Sequence, residues 1–252
     1  MSYYAKVLLG FIVLDLYLNI GIARSSELWI QVILVLLFFP ILKVILKLTK
    51  VNNYQKIGIN FQPNWTKNLM FGFLIGFAFW LVKYVLQYIS HGFEITGIQP
   101  FPEMLITLII VLLMFFVGSF LNDVIIRGYI FGHLKGKIPM KWIFLISVVI
   151  YALDDMWNEG FSLWNTLFSL VLGLSLTYAI YKTGSIWLTT GIHWGLNVCY
   201  GIFNGALGSA SGGIILTQNY SPTILTEFIS YLIALSMFLL IYLMRNRMNT
   251  FE

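Results

Sequence analysis

Apolar residues run along this chain in long stretches separated by short polar gaps, and the stretches have the length of membrane-crossing helices. About eight stand out, at residues 5–22, 28–47, 68–90, 104–132, 142–157, 162–181, 185–204 and 223–244. Crossing a hydrocarbon core of ~30 Å takes about 20 apolar residues in a helix that rises ~1.5 Å per residue. The fifth run is short, and the fourth is long enough to tilt or protrude. The pattern predicts an all-α polytopic membrane helical bundle of about eight transmembrane helices, forming a single integral membrane domain over 1–252. No repeat of solenoid period, low-complexity segment or soluble domain interrupts it. The first run, broken by Asp15 and accompanied early on by Lys6 alone, reads as a retained helix rather than a cleaved signal. The most polar stretch, 47–67, reads as a loop with a short interfacial helix. The Gly/Ser-rich stretch 205–213 reads as a flexible outer loop.

Composition agrees with this picture. The 252 residues are 59% hydrophobic and 10% charged, with a mean hydropathy of +0.86. A soluble domain carries about 25% charged residues and cannot hide this much apolar surface. The net charge of +5 is no nucleic-acid footprint, because the cations sit in the gaps between apolar runs. Lys47, Lys50, Lys56 and Lys67 lie in the second gap, Lys135, Lys137 and Lys141 in the fourth, Lys182 in the sixth, and Arg245 and Arg247 at the C-terminal end. The third, fifth and seventh gaps hold no lysine or arginine, and only Arg24 makes the first equivocal. The positive-inside rule therefore predicts a multi-pass protein of the cell membrane with both termini cytoplasmic. The single cysteine, Cys199, lies in an apolar run, so no intrachain disulfide forms.

Against this background the buried polar residues carry the information. An ionisable group in hydrocarbon costs about 2.5–3.5 kcal/mol by insertion scales, which makes each one a candidate for function. Three segments hold them: Asn122-Asp123-Val124-Ile125-Ile126-Arg127-Gly128, Tyr151-Ala152-Leu153-Asp154-Asp155, and His193-Trp194-Gly195-Leu196-Asn197. Counting from the nearest inner cations, Asn122 and Asp123 lie roughly 18–20 Å deep, Asp155 roughly 21 Å, and His193 and Asn197 roughly 16 and 22 Å. Three helices thus deliver costly side chains to one layer. Asp123 and Arg127 are four apart on one face, as are His193 and Asn197. One polar cavity between helices would keep all of them out of lipid. Each also has a plainer reading: Asp123 with Arg127 as a structural ion pair, His193 as a helix-to-helix hydrogen bond, Asp155 as a loop residue at the outer boundary. Asp15 and Lys83 read as structural partners or snorkelling groups.

These segments resemble the motifs of the CAAX-protease and bacteriocin-processing family of intramembrane metalloproteases. That family carries Glu-Glu-x-x-x-Arg, then Phe-x-x-x-His, then His-x-x-x-Asn/Asp on successive helices. Here Asn122-Asp123 with Arg127 aligns with the first and Tyr151 with Asp155 the second. Gly184-Ser185-Ile186-Trp187 followed by His193 and Asn197 looks like the third with its usual lead-in. The resemblance spans about 104–204 as a family core. It implies a helical bundle of that family, with His193 and the residue at Asp155 as metal ligands, Asn197 as an oxyanion-side donor, and a divalent metal such as zinc. Two departures fall on the chemistry. The family's water-activating Glu is Asn122 here, and its second histidine is Asp155.

A carboxamide takes no proton, and a general base contributes typically 10²–10⁴-fold. The expectation is a degenerate protease that binds a membrane-embedded peptide or protein partner in the bilayer, with no nucleic acid. The resemblance implies self-immunity, peptide maturation or sensor regulation as contexts. The alternative is an active endopeptidase with Asp123 or Asp154 as base and Asp155 and His193 as ligands. A transporter would show inverted repeats, and none is visible.

Overall fold

The computed structural model describes residues 1–51, 53–206, 212–219 and 223–246. Most of the stretch expected as a flexible outer loop, together with Asn52 and Arg247, lies outside the described residues. Each of the eight predicted runs is a helix: α1 (Tyr3–Ile22), α2 (Leu28–Leu48), α3 (Trp65–Ile89), α4 (Phe101–Leu134), α5 (Met140–Asp154), α6 (Leu163–Thr183), α7 (Ile186–Asn204) and α8 (Ile224–Leu243). Among the described residues, six helices are long and apolar enough to cross a membrane. The other two are α5 and α7. α5 has 15 residues, about 22 Å at ~1.5 Å per residue, and stops at Asp154 rather than running to 157. α7 is enclosed by its neighbours for nearly its whole length. The peripheral helices turn leucines, isoleucines and phenylalanines outward, as with Leu36 at 64% and Leu113 at 62% exposure. An apolar exterior of that extent is the mark of a lipid-facing surface.

α7 is the centre of the bundle, packed on α3, α4 and α6, while α8 covers α6 and α3 and α5 lies along α6. The α3–α7 contact is the most intimate because both helices present glycines. A Cβ added at Gly72 or Gly76 would run into the main chain of Leu188 or Ile192, and one at Gly191 or Gly195 into that of Leu69 or Phe73. Two small-x-x-x-small faces thus bring backbone against backbone, as lipid-embedded helices favour.

The lysine-rich end is tied together by the segment before α3. The expected short helix there is a 3₁₀ turn, Tyr54–Ile57. Gly58 O accepts from Ile186 N at 3.1 Å, and Asn60 O accepts from Trp187 Nε1 at 2.6 Å. Gly184 closes α6 in the left-handed region at φ 66°, and Ser185 caps α7. The Gly-Ser-Ile-Trp lead-in is therefore a tight α6-to-α7 turn pinned to that segment. At the opposite end, β1 (Phe93–Ile98) and β2 (Ile215–Asn219) pair antiparallel, from Phe93 opposite Asn219 to Ile98 opposite Ile215, with an irregularity between Ile95 and Gly97. The third and seventh gaps, both free of lysine and arginine, thus fold onto each other, which the apolar pattern gives no hint of.

Two helices carry a π turn: α1 over Tyr17–Ile22 and α4 over Val124–Tyr129. Such widened turns are rare and gather at functional sites. Both deliver polar groups to the interior.

Candidate functional site

The α4 π turn begins just after Asp123 and includes Arg127. Both side chains are fully enclosed, at 0% exposure. Two charges at that depth stay charged only if each meets the other, and Arg127 Nη1 donates to Asp123 Oδ1. The Arg127 guanidinium also lies over the Tyr151 ring of α5, 4.5 Å from its centroid. Thr189 Oγ1 of α7 donates to the same Asp123 oxygen at 3.4 Å, and His193 Nδ1 lies 3.6 Å from it. The ion pair therefore fastens α4, α5 and α7 together.

In front of it lies a cavity of about 310 Å³, lined by Asn122, Asp154, Asp155, His193 and Asn197 among apolar walls that include Trp80, Phe115 and Phe168. The predicted polar layer is thus one chamber. Its membership differs from the expected set in one respect. Asp123 and Arg127 do not line the cavity; they close it from behind, because each spends its charge on the other and on neighbours of α5 and α7.

Every carboxylate around the chamber is held by protein donors. Asp154 accepts from Asn122 Nδ2 at 2.6 Å and from Asn19 Nδ2 at 2.9 Å. Asn19 sits in the α1 π turn and also donates to Asp15 at 3.3 Å. Asp155 Oδ2 accepts from Ser169 Oγ at 2.6 Å and Asn165 Nδ2 at 3.1 Å, both on α6. Asn197 Nδ2 donates to Ser119 Oγ of α4 at 3.1 Å. Lys83 borders the cavity with its ammonium over the rings of Trp80 and Tyr84, at 5.1 and 4.8 Å.

A catalytic zinc commonly takes three protein ligands and keeps one position open. Among the described residues no three His, Cys, Asp or Glu side chains group closely enough to hold a metal ion. His193 and Asp155 do not complete such a set, and the Asp155 carboxylate is turned to α6. The residues present do not fit a three-ligand metal centre.

Residues 104–199 match the family model described as Rce1-like, type II CAAX prenyl endopeptidase Rce1-like. Over that segment the chain is similar to the CAAX-protease family. No curated protein matches it. The matched segment takes in all three motif segments, so the ion pair, Asn122, Asp154, Asp155, His193 and Asn197 sit within it. Asp15 and Asn19 lie before it, on a helix outside the match. They are also what sequence reasoning missed as site residues, along with the α6 pair Asn165 and Ser169. The available signal was the spacing of Asp15 and Asn19, four apart in an apolar run; it points inward without saying toward what. The α3 and α7 glycines that set His193 in place were legible as paired Gly-x-x-x-Gly spacings.

Proposed function

We propose that this protein is a member of the CAAX-protease family that acts as a degenerate protease, whose cavity binds a membrane-embedded peptide or protein partner and cleaves it weakly or not at all. The observation that carries this reading is the state of the carboxylates. Asp123 is committed to Arg127 and Thr189, Asp154 to Asn122 and Asn19, and Asp155 to Ser169 and Asn165. Where the family's proton acceptor stands, Asn122 is a donor. No step of this reading passes through a metal. The cavity suits a bound segment of chain, because its walls combine aromatic rings with four asparagine amides, which both donate and accept. Asn122 Oδ1 is buried with no hydrogen-bond partner among the described residues, an acceptor suited to a peptide N–H.

The reading extends to setting and orientation: the cell membrane, both termini cytoplasmic, and a role in self-immunity, peptide maturation or sensor regulation. A second reading, an endopeptidase with Asp154 as base, draws support from the position of Asp154 on the cavity wall.

The deciding experiment incubates the purified protein with hydrophobic reporter peptides in detergent and reads products by mass spectrometry. The unaltered protein is expected to give none, His193→Ala to leave binding of a reporter intact, and Asn122→Glu with Asp155→His to gain metal-dependent cleavage. Cleavage by the unaltered protein that Asp154→Asn abolishes would establish the second reading instead.

A further inference from the structure

A second and larger cavity, about 670 Å³, opens at the lysine-rich end, where the N-terminus, the segment before α3, the α4–α5 turn and the α6–α7 turn converge. Lys50, Lys56, Lys135 and Lys137 all border it, and no Asp or Glu does among the described residues. None of the four is in an ion pair among the described residues. Lys137 is held over the Tyr3 ring, 3.3 Å from its centroid. Lys50 reaches the rim from a left-handed turn, φ 61°, a conformation uncommon outside glycine. Met140, the first residue of α5, also lines the space. Four like charges, two from the α2–α3 connection and two from the α4–α5 turn, repel one another. Among the described residues no carboxylate at the cavity offsets them, and an anion would.

The surroundings say which kind of anion. The rim carries Tyr3 and the exposed Tyr181, with exposed Trp142 next to Lys141 on the adjoining turn. Tyrosine and tryptophan of this kind gather at the headgroup level of a bilayer. We infer that this cavity binds the phosphate-bearing headgroup of an anionic glycerophospholipid, with Lys50, Lys56, Lys135 and Lys137 around the phosphate. Basic pockets between membrane helices on the cation-rich side recognise headgroups in this way.

The test uses the full chain reconstituted in nanodiscs of phosphatidylcholine with equal minor fractions of phosphatidylglycerol and diacylglycerol, and measures by native mass spectrometry which lipid stays bound on release. The unaltered protein is expected to retain phosphatidylglycerol over phosphatidylcholine and over uncharged diacylglycerol; equal retention of the three overturns the inference without any variant. Each lysine beside an anionic headgroup contributes roughly fivefold to affinity, so Lys135→Gln with Lys137→Gln should lower retention by about 25-fold. The matching change to arginine should preserve it. Lys47→Gln with Lys67→Gln, exposed lysines outside the cavity, should leave it unchanged. An equal loss in that control would reduce the effect to general surface attraction, and displacement by millimolar inorganic phosphate would make the ligand a soluble anion; either result overturns the inference.

Discussion

Among the described residues Arg127 has one carboxylate partner, Asp123, and one aromatic face, and its side chain is fully buried, which sets what substitution does there. Removing one member of a buried pair costs about 3–5 kcal/mol, while replacing both with apolar groups of similar volume is often near neutral. Asp123→Asn is therefore expected to lower stability by about 3–5 kcal/mol, read by thermal unfolding in micelles, and Asp123→Leu with Arg127→Met to recover most of it. A double variant no better than the single would give the pair a role beyond holding charge. At this scale much was legible from the sequence. Asn122, Asp155, His193 and Asn197 do meet in one chamber, because depth along a helix follows from counting residues. What escaped is which polar atom faces which. Asp154, not Asp155, is the aspartate that Asn122 grips, and its other partner, Asn19, is 135 residues away in sequence. A π turn aims Asn19, and no spacing rule announces a π turn.

Helices here are held by what they lack. The α3–α7 crossing depends on glycines at four positions, so even a methyl group must push the helices apart. Gly76→Ala and Gly191→Ala are each expected to cost about 1–3 kcal/mol, the usual penalty of overpacking. Gly118→Ala supplies the matched comparison, since nothing lies within 4 Å of a Cβ there; it should leave the unfolding temperature unchanged or slightly raised. Equal destabilisation of all three would mean that helix flexibility, not the crossing, is at stake. The number and order of helices were readable from apolar run lengths. Their status as spans was not, because α7 and α5 owe their places to neighbours: one is enclosed, the other is short. The β1–β2 pairing was equally silent, as strands of six and five residues between helices leave no periodic trace.

For the whole molecule, the asymmetry of lysines between the two ends makes orientation measurable. In a Cys199→Ala background, Glu103→Cys is expected to react with a membrane-impermeant maleimide on intact cells, and Lys135→Cys only after the cells are opened. The reverse order would invert the proposed topology. Cys199 is buried, so its removal should not disturb the comparison. The same view of the whole gives the α3–α7 crossing a further meaning. That crossing is fixed by four glycines, none of which lines the chamber. The groups facing the chamber can drift from acid to amide, or from imidazole to carboxylate, one at a time, while the helices that carry them hold their places. Such a bundle keeps its shape through a change of trade, and its outline alone says little about which trade it follows.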